Sequence, residues 1–125
     1  MFSWFSNKAV PLKPLPLSQR EKSYSAQSGF VYQYCFKGLA GRNHVFEVTA
    51  DRKVHFEVTI ALQPESLAPC SERMGSPLRW NEEYALAKLC LFAAFDAVEG
   101  PEQLRQTVVP TPESLLEHMT ALNMA

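Results

Sequence analysis

From residue 29 to residue 62 the chain alternates apolar and polar side chains with a period of two. In "FVYQYCF", Phe30, Tyr32, Tyr34 and Phe36 fall on one face and Val31, Gln33 and Cys35 on the other. "HVFEVTA" sets Phe46, Val48 and Ala50 against Val45, Glu47 and Thr49. "KVHFEVTIAL" sets Val54, Phe56, Val58, Ile60 and Leu62 against His55, Glu57 and Thr59. Period two in β-branched and aromatic residues is the signature of strands that bury one face. Residues 37–43, with Gly38 and Gly41, supply the first turn and residues 50–54 the second.

The pattern also predicts register. Even-numbered residues point inward on all three strands, so paired positions sum to an even number. A three-residue loop at 51–53 pairs Ala50 with Val54, Val48 with Phe56 and Phe46 with Val58. On the other face, Thr49 then stands opposite His55, and Glu47 opposite Glu57. A similar count across the first turn brings Gln33 beside Glu47.

The period then changes. "WNEEYALAKLCLFAAFDAVEGPE" predicts a helix with Asn81 as N-cap, Glu82 and Glu83 in the first turn and a stop at Gly100-Pro101. Nearly every side of it is apolar. At 100° per residue Phe92 and Phe95 share a stripe with Lys88 and Glu99, so something besides the sheet is expected to pack on them. "TPESLLEHMTALNMA" predicts a last helix, with Thr111 as N-cap, Pro112 at the first helical position and a stripe of Leu115, Leu116, Met119 and Leu122. Between these helices a helical turn at 102–106 and a short extended "TVV" are expected. Residues 63–79 contain Pro64, Pro69 and Pro77 and read as a long connection with one helical turn at 64–68.

Residues 1–28 have neither period. Pro11, Pro14 and Pro16 followed by a Ser/Gln-rich stretch describe an extended arm. The predicted fold is therefore α+β: a three-stranded antiparallel β-meander with a buried helix packed on one face and a second, C-terminal helix. These form a single domain over 29–125, preceded by an extended, Pro-containing, basic N-terminal arm over 1–28.

Charge sharpens this division. Residues 1–28 carry four Lys/Arg against one Glu, residues 29–79 six against five, and residues 80–125 two against seven. A basic arm and an acidic C-terminal half can attract one another within or between chains. No basic face is interleaved with aromatics, so nucleic acid is not an expected partner. Three separated cysteines without a Cys-x-x-Cys argue against a disulfide framework and a zinc site. With no membrane-spanning run, they lead to the expectation of a cytoplasmic protein.

Three groups of residues carry candidate chemistry. Glu47 and Glu57, with His55 and Gln33 nearby, could form a carboxylate pair able to raise one pKa and act as a general acid. The plainer expectation is that both side chains turn into water, or that Lys13, Arg20 or Lys22 of the arm lies between them. No pair among His44, His55, His118 and the cysteines has metal-ligand spacing, so neither metal nor cofactor is expected, and Cys90 reads as a small buried hydrophobe. Phe2, Trp4 and Phe5 are large apolar groups at a terminus and suit packing onto protein, with contact to a membrane surface the weaker alternative.

The functional expectation is a non-enzymatic protein-interaction or assembly module that self-associates or binds a protein partner. Its contacts would come from Phe2, Trp4 and Phe5, from Phe92 and Phe95, or from the open edge of strand 53–62. The alternative is a small enzyme or ligand-binding domain using Glu47 and Glu57 with His55. A deep cavity beside the carboxylates would favour the alternative, and a flat, wet face the module.

Overall fold

The alternating segments form strands where the pattern places them, and two further strands join them. The structure is a computed structural model that describes residues 21–51 and 53–124. Strands β1 (Lys22–Ser25), β2 (Val31–Ala40), β3 (Asn43–Ala50), β4 (Val54–Ile60) and β5 (Thr107–Val108) lie side by side in that order. All neighbours are antiparallel except β4 and β5, which are parallel. Three helices, α1 (Pro64–Met74), α2 (Trp80–Asp96) and α3 (Pro112–Ala121), complete an α+β domain. The expected three-stranded meander is thus the centre of a five-stranded sheet.

The β3–β4 register is the expected one. Ala50 pairs with Val54, Val48 with Phe56, Phe46 with Val58, Thr49 with His55 and Glu47 with Glu57. Asp51 takes a left-handed φ of 53° in the connecting loop, and the Lys53 N–H donates to the Ala50 carbonyl at 3.1 Å. The β2–β3 register differs from expectation by two residues: Gln33 pairs with Thr49, and Cys35 with Glu47. The strands run on to Ala40 and resume at Asn43, so the turn is only Gly41-Arg42, with Gly41 at a left-handed φ of 66°. A bulge between Phe36 and Gly38 absorbs the extra residue.

Even-numbered strand residues build the core. Tyr32, Phe46, Val48, Val58 and Ile60 are completely buried, together with Leu86, Ala87, Leu91 and Phe95 of α2 and Leu115 and Met119 of α3. α2 begins two residues before the expected start, with Arg79 rather than Asn81 as N-cap donating its backbone N–H to Glu82 Oε1 at 2.7 Å, and it ends at Asp96, before Gly100. α3 begins as expected, the Ser114 N–H donating to Thr111 Oγ1 at 3.1 Å. Among the described residues no helix is long and apolar enough to cross a membrane.

The segment expected to be a connection holds α1 instead. Pro64 occupies its first turn and Pro69 its interior, a position that forfeits one backbone hydrogen bond. The helix persists because Leu67 and Cys70 are buried and Met74 packs against the core, and because α1 lies along α3. It ends in a Schellman motif: Gly75, at a φ of 79°, donates to Glu72 and Ser76 donates to Ser71. Cys70, which falls in the span read as a connection, is accordingly a fully buried helix residue.

β1 explains the apolar stripe of α2. The Tyr24 ring stacks on Phe92 at 4.3 Å and meets Phe95 at 5.8 Å, and Tyr32 stacks on Phe95 at 4.1 Å. The partner expected from outside the sheet is therefore the sheet itself, extended by a strand inside the span read as an arm. Two hydrogen bonds to the end of α2 hold this edge: Tyr24 Oη donates to Asp96 Oδ2 at 2.5 Å, and the Gln27 N–H donates to Asp96 Oδ1 at 2.9 Å.

Candidate functional site

All three helices account for burial on the even side of the sheet, and the odd side carries polar groups in cross-strand rows. Pleating sends residues of one parity to one face, and pairing sets them shoulder to shoulder. One row runs Ser23, Gln33, Thr49 and His55 across β1 to β4. Its neighbour runs Cys35, Glu47 and Glu57 across β2 to β4.

In the first row Thr49 Oγ1 lies 3.2 Å from His55 Nδ1, a hydrogen bond that fixes the imidazole against the sheet. Glu21, Ser23, Gln33, Thr49 and His55 line a depression of about 470 Å³ that opens to solvent. Gln33 Oε1 is buried there without a hydrogen-bond partner, as are Tyr32 Oη and both ring nitrogens of His44 on the core side.

In the second row Glu47 and Glu57 face each other as expected, and both are exposed. Among the described residues, the cation beside them is Lys37 of β2. Its ammonium pairs with Glu57, and the hydrogen bond to that carboxylate raises the lysine pKa, with smaller help from its charge and from that of Glu47. Lys22, one of the expected cations, pairs with Tyr34 and so belongs to the even face. Lys13 and Arg20 lie outside the described residues. Cys35 adjoins Glu47, and burial, followed by the charge of that carboxylate, pushes its thiol pKa up, away from the thiolate a nucleophile needs.

The other candidates are dispersed. His44 lies in the core beneath Phe36 and Tyr84, where burial lowers its pKa, and His118 sits on α3. Cys90 is buried in α2 as a small apolar group, its thiol pushed up to about 12 by burial and then by Cys70. Among the described residues no three His, Cys, Asp or Glu side chains are placed to hold a metal ion. Phe95 is completely buried and Phe92 half-buried against Tyr24 and Tyr34. Phe2, Trp4 and Phe5 lie outside the described residues.

Sequence reasoning paired Thr49 with His55 correctly and placed Gln33 on this face beside the wrong neighbour, but it missed Lys37 as the cation of the second row. Lys37 was assigned to a turn, although a glycine within an alternating run, here Gly38, signals a bulge. The two-residue error in the β2–β3 register moved Gln33 from Thr49 to Glu47.

No protein-family model, curated protein or solved structure matches the chain.

Proposed function

We propose that the chain is a non-enzymatic protein-interaction or assembly module that self-associates through its sheet. The observation that carries this reading is the outer edge of β4. The Thr59 and Ala61 N–H groups donate outward to the Gln106 and Val108 carbonyls at 2.7 and 2.8 Å. The two-residue period turns the backbone groups of His55 and Glu57 to the same side. β5 pairs only with Thr59 and Ile60, so among the described residues no strand lies against the edge from 54 to 58. Val54 at its end is 51% exposed. An unpaired edge flanked by a helix-free face accepts a strand from a second copy by main-chain hydrogen bonding.

Exposed Glu47 and Glu57, one paired with Lys37, form a wet surface and favour binding over acid–base chemistry. The test is sedimentation of the full chain over a range of concentrations, with and without Val54→Lys/His55→Pro. A proline at 55 removes an outward N–H, together with the imidazole that bonds Thr49, and leaves the N–H groups of the ladder to β3 in place. The reading expects a dimer that the double substitution converts to a monomer of unchanged circular dichroism. A wild-type chain that is monomeric at all concentrations contradicts it.

The depression beside Gln33 supports a second reading, a site for a small polar ligand. Its unpartnered Gln33 Oε1 offers an acceptor next to the Thr49–His55 pair. Chemical-shift changes at Gln33, Thr49 and His55 on addition of polar fragments, absent in Gln33→Leu, would support it. Shifts confined to other residues would contradict it.

A further inference from the structure

The depression on the odd face of the sheet has a one-sided chemistry. Glu21, Ser23, Gln33, Thr49 and His55 line it, and no Lys or Arg is among these described residues. Gln33 Oε1 is buried there and accepts no hydrogen bond from the described residues. An acceptor held out of bulk solvent gains most from a ligand that donates to it. Thr49 Oγ1 and His55 Nδ1 are tied to each other. The acceptors not engaged within the depression are therefore Gln33 Oε1 and the exposed Glu21 carboxylate.

The charge around it has one dominant sign. After burial, the carboxylates of Glu47 and Glu21 raise the Cys35 pKa, and Lys22 and Lys37 oppose them more weakly. Both acids therefore act on the odd face of β2, two residues from Gln33. Glu47 is also two residues from Thr49 on β3, a rise of about 7 Å along the strand. The Lys37 ammonium is held by Glu57, and Lys22 pairs with Tyr34 of the even face.

We propose that this depression binds a small organic cation rich in N–H donors, of the alkylguanidinium or primary-ammonium class, held by Glu21 and Gln33. The inference rests on the second reading above, a site for a small polar ligand, and names that ligand's chemistry. A guanidinium carries its N–H donors in a planar fork that fits a carboxylate and leaves others for an amide oxygen. A primary ammonium divides fewer donors between the same two acceptors. A volume of about 470 Å³ admits either cation with a short aliphatic body. An anion meets the Glu21 charge and brings no donor to Gln33. A neutral amide gains from Gln33 but not from the charge, and a quaternary ammonium from the charge but not from Gln33.

The test follows amide chemical shifts of the full chain on addition of methylguanidinium or ethylammonium chloride, with sodium chloride keeping the ionic strength constant. Urea, acetate and tetramethylammonium are the comparison probes. At least one of the two N–H cations should give saturable shifts at Ser23, Gln33, Thr49 and His55. Its Kd should be on the order of millimolar, as suits so few heavy atoms, and about fivefold or more tighter than that of any comparison probe. Glu21→Gln, a change at an exposed position, should weaken the cation about threefold or more and leave urea unchanged. Equal or tighter binding of urea, acetate or tetramethylammonium at these residues overturns the inference and leaves the small-polar-ligand reading standing. Cation affinity unchanged in Glu21→Gln has the same consequence. No saturable shift at these residues with any probe overturns both.

Discussion

Glu47 and Glu57 stand directly opposite one another on β3 and β4, and Lys37, two strands away from β4, supplies the ammonium that pairs with Glu57. Like charges across a ladder destabilise, and an exposed ion pair offsets part of that. Glu57→Thr therefore loses repulsion and attraction together and is expected to change stability by no more than a few tenths of a kcal/mol in urea unfolding. Lys37→Met leaves the two carboxylates uncompensated, and its denaturation midpoint should rise with added salt more than that of the wild type. Equal salt responses would mean that Lys37 does not act on this pair.

Tyr24 links the edge strand to the end of α2 through Asp96 and Phe92. The hydrogen bond to Asp96, followed by burial, raises the Tyr24 pKa to about 12. In ultraviolet titration Asp96→Asn should bring one tyrosine back toward the ordinary value of 10.0. Phe95→Ala, at a completely buried position, should cost about 3–5 kcal/mol. Phe92→Ala should cost less, since that ring is only half-buried. Equal losses from the two substitutions would contradict the packing described.

His44 is buried with both ring nitrogens unpaired, and burial lowers its pKa below the ordinary 6.5. The unfolded chain then binds the proton more readily than the folded one, so stability rises with pH through this window. The contribution is complete above about pH 6.5 and is lost as pH falls toward the depressed folded value. His118 shifts in the same direction through burial, opposed by Glu117. Melting temperatures of the wild type should fall between about pH 7 and about pH 5, and His44→Leu should flatten that slope. A slope unchanged by the substitution would place the titration elsewhere.

The thiols should differ in reactivity. Cys70 and Cys90 are buried, with both pKa values raised chiefly by burial, whereas Cys35 is partly exposed on the open face. A thiol reagent should modify Cys35 first and reach the other two only on unfolding, as mass spectrometry of partially labelled protein would show. Early labelling of Cys70 would contradict the assignment of 64–74 to a packed helix.

The sheet's centre was legible because period two and a three-residue loop leave little freedom in register, which is why Glu47 and Glu57 could be paired in advance. β1 was hidden because "KSYS" has one apolar side chain, and its value as a strand depends on Phe92, far along the chain. α1 was hidden because Pro64 and Pro69 speak locally against a helix, while the packing of Leu67 and Cys70 that overrides them is tertiary. The row from Ser23 to His55 required the bulge at Phe36/Gly38, which alternation alone does not locate.

The proposal of self-association through β4 is tested most directly by residue-resolved amide hydrogen exchange of the full chain at low and high protein concentration. The His55 and Glu57 amides face the open edge, and the Phe56 amide faces β3. The account predicts that His55 and Glu57 exchange quickly when dilute and become protected when concentrated, while Phe56 is protected throughout. Fast exchange at His55 and Glu57 at every concentration, with Phe56 still protected, would contradict it.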